Sequence, residues 1–337
     1  MRRLATVTTI LFGVALAGAA GTAAAQVPIK FGTPTNGDTV HDGMITYKAA
    51  VEKKAPGKVK IDIYPGGQLG SIPNMIEGVQ LGTIEMLNIP PEFLVGLDTR
   101  FGVVSAPGVF TDMMHGYRTL HEPEFKKAYW ALGENKGIKL IGAQCNAEAH
   151  YVSRRPIRTL EDFKGKKIRV FASAMEREEM SRLGAAATPM PLGEVVQGLQ
   201  VGTIDAAKSG FIVFVTFKVQ PVAKYVLRSR ESLVCIVQFV NKPWFEKLAP
   251  DVQALLTQTA TENDAINMKH TVDIDASVAP RWVQGGGEVN DLSPAEHAEF
   301  LKRIATVGDA ALESDPAAKE MYLLMKQAAE RTRHKTN

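Results

Sequence analysis

Ten residues, Glu77-Gly-Val-Gln-Leu-Gly-Thr-Ile-Glu-Met86, return in conservatively altered form as Gln197-Gly-Leu-Gln-Val-Gly-Thr-Ile-Asp-Ala206. In each copy an amphipathic run reaches a glycine, Gly82 or Gly202, that suits the left-handed position closing a helix. A β-branched Thr-Ile pair then reads as the opening of a strand. Helix, glycine stop and strand laid down twice predict two α/β lobes of similar build, with a cleft between them where a small molecule binds. Helix-Gly-strand junctions are common in α/β chains, so coincidence is the competing explanation of the echo.

The first residues bear on the compartment. Arg2 and Arg3 precede an apolar stretch from Leu11 to Ala20, and Ala23, Ala24 and Ala25 supply the small residues required ahead of a cleavage site before Gln26. Residues 1–25 read as a secretory signal peptide, since a membrane anchor needs roughly 20 apolar residues. Removal of Arg2 and Arg3 leaves 37 Lys and Arg against 36 acidic residues, near neutrality, which argues against nucleic acid as a partner. About 310 residues then remain, enough for two domains with substantial cores. The two cysteines, Cys145 and Cys235, lie in apolar strand-like contexts. Spacing allows a disulfide or two buried thiols, and the thiols are the expectation because a chain this large does not depend on one staple.

Strand-like and helix-like patterns alternate along the mature chain. Pro28 to Phe31 reads as a strand, a helix follows through Ala49 and Val51, and Lys58 to Tyr64 alternates polar and apolar residues as a second strand. This βαβ order predicts a largely parallel sheet, in which ligands sit beyond the carboxyl ends of the strands. The rule makes the loops from Thr33 to Asn36 and from Asn88 to Glu92 cleft-facing, with Thr33, Asn36, Asn88 and Glu92 as candidate ligand contacts. A second series begins near Lys139, with strands over 141–146 and 166–171 and a helix from Met175 to Leu183 stopped by Gly184. From Pro250 to about Val283 runs a helix long enough to brace both lobes, with Pro280 expected to kink or interrupt it. Gly285 to Gly287 lacks a phosphate-loop pattern and reads as a helix terminator, and two final helices start near Ser293 and Pro316.

No Gly-x-Ser-x-Gly elbow, His-Glu-x-x-His, paired metal-spaced cysteines, Walker loop or dinucleotide fingerprint is present. The seven histidines are scattered, so neither a metal site, nor a cofactor, nor an enzymatic role is expected. One basic residue stands apart. In Lys166-Lys-Ile-Arg-Val-Phe171, alternation puts Arg169 on one face with Lys167 and Phe171, ahead of a loop at Ala172-Ser-Ala. Its fork of donors matches a carboxylate bidentately. Periodicity alone favours a surface arginine or a structural ion pair over a ligand contact.

Three further stretches, Pro156 to Arg169, Leu183 to Met190 and Glu194 to Asp205, resemble the solute-binding subunit of tripartite ATP-independent periplasmic (TRAP) transporters, DctP type. Tyr64 to Gly70, Gly78 to Ile84 and Val240 to Leu248 extend the resemblance, in order, over nearly the whole mature chain. It implies an α/β two-lobed periplasmic binding protein with a mixed sheet in each lobe, lobe-crossing strands and a long helix spanning both lobes. It places residues 26–146 with about 235–274 in lobe I, and 147–234 with about 275–330 in lobe II. The implied function is capture of a carboxylate-bearing organic acid in the periplasm by a monomer that delivers it to TRAP membrane subunits. A ligand-sensing partner of a membrane receptor kinase, or a periplasmic enzyme, are the alternatives.

The arginine that pairs with the ligand's carboxylate in that family falls on Arg169, and an apolar contact falls on Leu192. Where the family has an acid and an asparagine, this chain has Lys208 and Ser209, so Ser209 is the candidate contact and Lys208 a possible partner for a second carboxylate. A second arginine of some members is replaced by the stretch Asn146-Ala-Glu-Ala-His-Tyr151, which leaves His150 as a polar candidate. Phe211, three residues before Phe214, fits either an aromatic wall or a core stripe at helical spacing.

Overall fold

The computed structural model describes residues 26–334; the expected leader lies outside them. Ten strands form one continuous mixed sheet: β1 (Val27–Gly32), β2 (Val59–Tyr64), β3 (Met86–Ile89), β4 (Ile138–Ser153), β5 (Lys167–Val170), β6 (Ala186–Pro189), β7 (Ala206–Gly210), β8 (Tyr225–Leu227), β9 (Leu233–Asn241) and β10 (Glu288–Asn290). Their order is β2-β1-β3-β9-β4-β7-β5-β6, with β8 and β10 paired beside β4. The two halves mirror each other. At one end β2, β1 and β3 run parallel and β3 meets β9 antiparallel; at the other β6, β5 and β7 run parallel and β7 meets β4 antiparallel. Each half is a lobe, and β4 crosses between them.

The repeated decapeptide sits at equivalent places in this arrangement. The Ile72–Leu81 and Val195–Val201 helices both end at glycines in the left-handed conformation, Gly82 at φ 76° and Gly202 at φ 80°. In both, the glycine four residues earlier lies against the isoleucine that follows, Gly78 under Ile84 and Gly198 under Ile204. The strands open later than the Thr-Ile pair suggests, at Met86 and Ala206. Ile84 and Ile204 instead turn back to donate their N–H groups to Gly78 and Gly198 carbonyls.

Three other expectations change. The break foreseen after residue 146 is absent, because β4 runs for sixteen residues, past two irregularities in its register with β9. Pro280 does not interrupt the Pro250–Gln284 helix. It falls in the last turns, where Ala276 and Pro280 are both exposed. Cys145 and Cys235, register partners on β4 and β9, are joined as a disulfide rather than left as thiols. Opposed positions on adjacent antiparallel strands bring the two Cβ atoms within bonding reach, information that spacing along the chain does not contain.

The long helix lies along β4 and touches both lobes. Its first half packs on the Thr39–Lys54 helix and its second half on the Phe211–Thr216 helix and β10. Met44, Tyr47 and Leu256 share one core on the first side, and Phe214, Val226 and Trp282 another on the second. The Pro316–Thr332 helix packs on residues 99–129 of the first lobe. His115, on the Met113–Leu120 helix, lies 2.8 Å through Nε2 from the Ala329 carbonyl.

Candidate functional site

A cavity opens where the lobes meet, beyond the carboxyl ends of β1, β3, β5 and β7. Its first-lobe wall comes from the loop after β1 and from β3. Thr35 Oγ1 donates to Asp38 Oδ1 (2.9 Å), which also accepts the His41 backbone N–H and so caps the Thr39–Lys54 helix. Burial raises the Asp38 pKa above its ordinary value, partly offset by those donors. Asn146, at the middle of β4, donates through Nδ2 to Thr39 Oγ1 (3.3 Å). The second-lobe wall is apolar, with Phe171, Leu192, Ile212 and Val213, and has Ser209 as its hydroxyl. The free space amounts to about 30 Å³, room for two or three waters at roughly 10–15 Å³ each. A ligand of several carbons therefore needs the lobes to part.

Arg169 stands against this wall and is fully buried. Strand β5 positions it, and main-chain oxygens hold it: Nε donates to the Met190 carbonyl and Nη1 to the Lys208 carbonyl, each at 3.0 Å. The guanidinium carbon lies 4.4 Å from the ring centre of Phe171, whose face lines the cavity. Among the described residues Nη2 has no hydrogen-bond partner. Burial lowers the Arg169 pKa to about 10, while Glu176 and Glu92 act on it through space in the opposite sense. It therefore carries its charge at neutral pH, with two nitrogens anchored and one end of the fork unused.

Lys208 has the opposite disposition to its neighbour Ser209, as strand alternation requires. Its ammonium lies 2.7 Å from Glu179 Oε2 and 2.9 Å from Glu231 Oε1. The first contact is a hydrogen bond; the second is a charge contact without hydrogen-bond alignment. Tyr151 donates its hydroxyl to Glu179 Oε1 at 2.5 Å. Burial disfavours the ammonium, yet Glu179 and Glu231 outweigh it and hold Lys208 above the ordinary lysine range. Burial likewise raises Glu179, to about 7. The lysine is thus committed to an internal ion cluster.

The lobes touch beside the cavity. Phe93, in the turn after β3, meets Phe171 edge to face at 5.7 Å, and the Ser105 and Ser173 hydroxyls lie 2.8 Å apart. Glu92 and Glu176 face the same seam. Burial pushes Glu92 to about 8, with the Glu176 carboxylate adding to the rise, and burial also raises Glu176.

Of the candidates read from the sequence, Thr33, Asn88, Leu192 and Ser209 line the cavity. Arg169 stands behind Phe171. Glu92 is buried at the lobe seam, outside the lining, and Asn36 is exposed on its loop. Phe211 and His150 pack on each other at 5.8 Å, with Phe211 against Trp282, in the core of the second lobe. There burial lowers the His150 pKa to about 4. The cavity also contains Asp38, Phe93, Asn146 and Phe171, which the sequence reading did not single out. A signal existed for Asp38, an N-cap residue before a helix at a strand's carboxyl end; nothing local marked Phe93.

Two lobes, a crossing strand, a long brace and a small polar-apolar cavity at the strand ends define a bacterial solute-binding protein. Residues 31–315 match the DctP family, described as bacterial extracellular solute-binding protein, family 7, and the chain belongs to it. It is similar to the 2,3-diketo-L-gulonate-binding periplasmic protein YiaO of Escherichia coli, 28% identical over 85% of this chain and 88% of that one. Among solved structures it resembles a TRAP periplasmic solute-binding protein from Desulfovibrio salexigens with bound orotic acid (TM-score 0.85, 25% identity, 91% of this chain and 100% of that one). It also resembles one from Xanthobacter autotrophicus with bound β-D-galacturonate (TM-score 0.81, 27% identity, 89% and 99%).

Proposed function

We propose that this chain works in the periplasm as the TRAP solute-binding protein for an organic acid, held through its carboxylate by Arg169, and passes it to TRAP membrane subunits. The observation that carries this reading is the free end of a buried, charged guanidinium whose other donors are already anchored. A carboxylate oxygen accepts from that nitrogen in a charge-assisted bond. The chain acts as a monomer and captures its ligand without transforming it, a reading supported by its membership of a solute-binding family. The moving bodies are residues 26–146 with 235–274 and residues 147–234 with 275–304. We assign the helix over 316–332 to the first body, in place of the second where the sequence put it, because it packs on 99–129.

The test is a thermal-shift screen of residues 26–337 against carboxylic acids and their neutral amides, repeated with Arg169→Ala. An acid at a thousand times its Kd adds about 4 kcal/mol of stability. The expected result is a rise with acids alone, lost in the variant. Equal shifts from the amides, or an unchanged response of the variant, would refute the Arg169 clamp.

A further inference from the structure

The distribution of charge around the cavity narrows the chemistry of the cargo, on the reading that Arg169 holds a carboxylate. Seven lining residues are polar: Thr33, Thr35, Asp38, Thr39, Asn88 and Asn146 from the first-lobe side and mid-β4, and Ser209 from the second. None is cationic. Lys208, the one residue beside the cavity whose charge suits a second carboxylate, turns to the other face of β7 and is occupied by Glu179 and Glu231. The first-lobe side presents neutral hydroxyls and amides and one carboxyl instead. Among the described residues Asn88 Oδ1 and Asn146 Oδ1 are buried without hydrogen-bond partners, and Asp38 lines the same cavity. A buried acceptor left unpaired asks for a donor, and a second anion placed there meets neutral hydroxyls and amides and the Asp38 carboxyl, with no cation to balance it. Between the two poles the remaining lining is apolar, including Phe93, Phe171, Val234 and Ile236.

We infer that the cargo is a monocarboxylic acid with an apolar aliphatic or aromatic body and, at its far end, at most a neutral O–H or N–H donor. Dicarboxylates and polyhydroxylated sugar acids are excluded. A dicarboxylate would bury its second charge without a cation, the arrangement that costs most in a desolvated site. A sugar acid would bring a full set of hydroxyls into a lining in which twelve of nineteen residues are apolar.

Calorimetry on residues 26–337 tests this with matched sets. Branched aliphatic and aromatic monocarboxylates are each compared with the dicarboxylate of the same skeleton and with the amide, and galacturonate serves as the sugar acid. Arg169→Lys accompanies Arg169→Ala throughout, so that one variant retains a charge if the other fails to fold. The expected result is that at least one monocarboxylate binds, with its dicarboxylate partner and galacturonate at least about 100-fold weaker. Tighter binding of a dicarboxylate or of galacturonate, sensitive to Arg169, overturns the inference and leaves the Arg169 clamp standing. Binding of amides as tight as acids, or no acid binding that depends on Arg169, removes the clamp and the inference with it.

Discussion

Replacing Lys208 by methionine removes the cation from a cluster in which Glu179, Glu231 and the Tyr151 hydroxyl remain buried. Methionine fills a similar volume, so the change is chiefly electrostatic. Breaking a buried ion pair by deleting one partner costs about 3 to 5 kcal/mol, because the other charge is stranded. At about 2 to 3 °C per kcal/mol, melting should fall by roughly 6 to 15 °C. Glu179 already has its pKa raised to about 7, and losing the cation pushes it further the same way. The folded variant then holds a proton that the unfolded chain releases, so its deficit shrinks towards pH 5 and widens towards pH 8. Lys208→Met combined with Glu179→Gln and Glu231→Gln should recover most of the loss. Urea denaturation at pH 5 and pH 8 measures stability, and calorimetry with a bound acid measures affinity, expected within threefold of the parent. A stability loss under about 1 kcal/mol, or a large affinity loss at unchanged stability, would refute the assignment and return Lys208 to the ligand.

The raised pKa of Glu92, about 8 against an ordinary 4.5, means the folded protein binds the extra proton between those values. Stability from this group is therefore lost as pH rises through that window, and Glu92→Gln should flatten the dependence when urea curves at pH 5 and 8 are compared. A Cβ on Gly78 would come 2.8 Å from Ile84 Cδ1, whereas one on Gly198 would sit 3.2 Å from Ile204 Cγ1. Gly78→Ala should accordingly cost about 1 to 3 kcal/mol of overpacking and Gly198→Ala less, an order that melting temperatures check. Reducing the Cys145–Cys235 bond, which closes a loop with a sequence separation of 90, should cost about 2 to 4 kcal/mol, read from melting with and without reductant.

The features legible in the sequence were those set by local rules. Period-two alternation marked β1, β2 and β5, and glycines at left-handed positions marked the ends of two helices in equivalent places. Strand-end logic led to Thr33 and Asn88, both on the cavity wall. What was not legible depends on pairing between distant segments. Cys145 and Cys235 bond because β4 and β9 are aligned, and the acids that engage Lys208, Glu179 and Glu231, come from two other elements. The last helix packs on the first lobe because its apolar stripe fits residues 99–129. His150 and Phe211 illustrate the converse: polar or aromatic character near a cleft says little until burial shows which core a side chain has joined.

Strand β4 pairs with β9 as far as Glu148 and with β7 from Ala149 onwards. No loop at this crossing can swivel, and parting the lobes means flexing a two-ply ribbon. The plies are riveted at Cys145–Cys235, which opposes their creeping past one another, and breaks in register lie close by, between Leu140 and Gly142 and between Cys145 and Ala147. A ribbon that bends without slipping behaves as a leaf spring: each opening follows the same arc, and each cargo meets the same mouth.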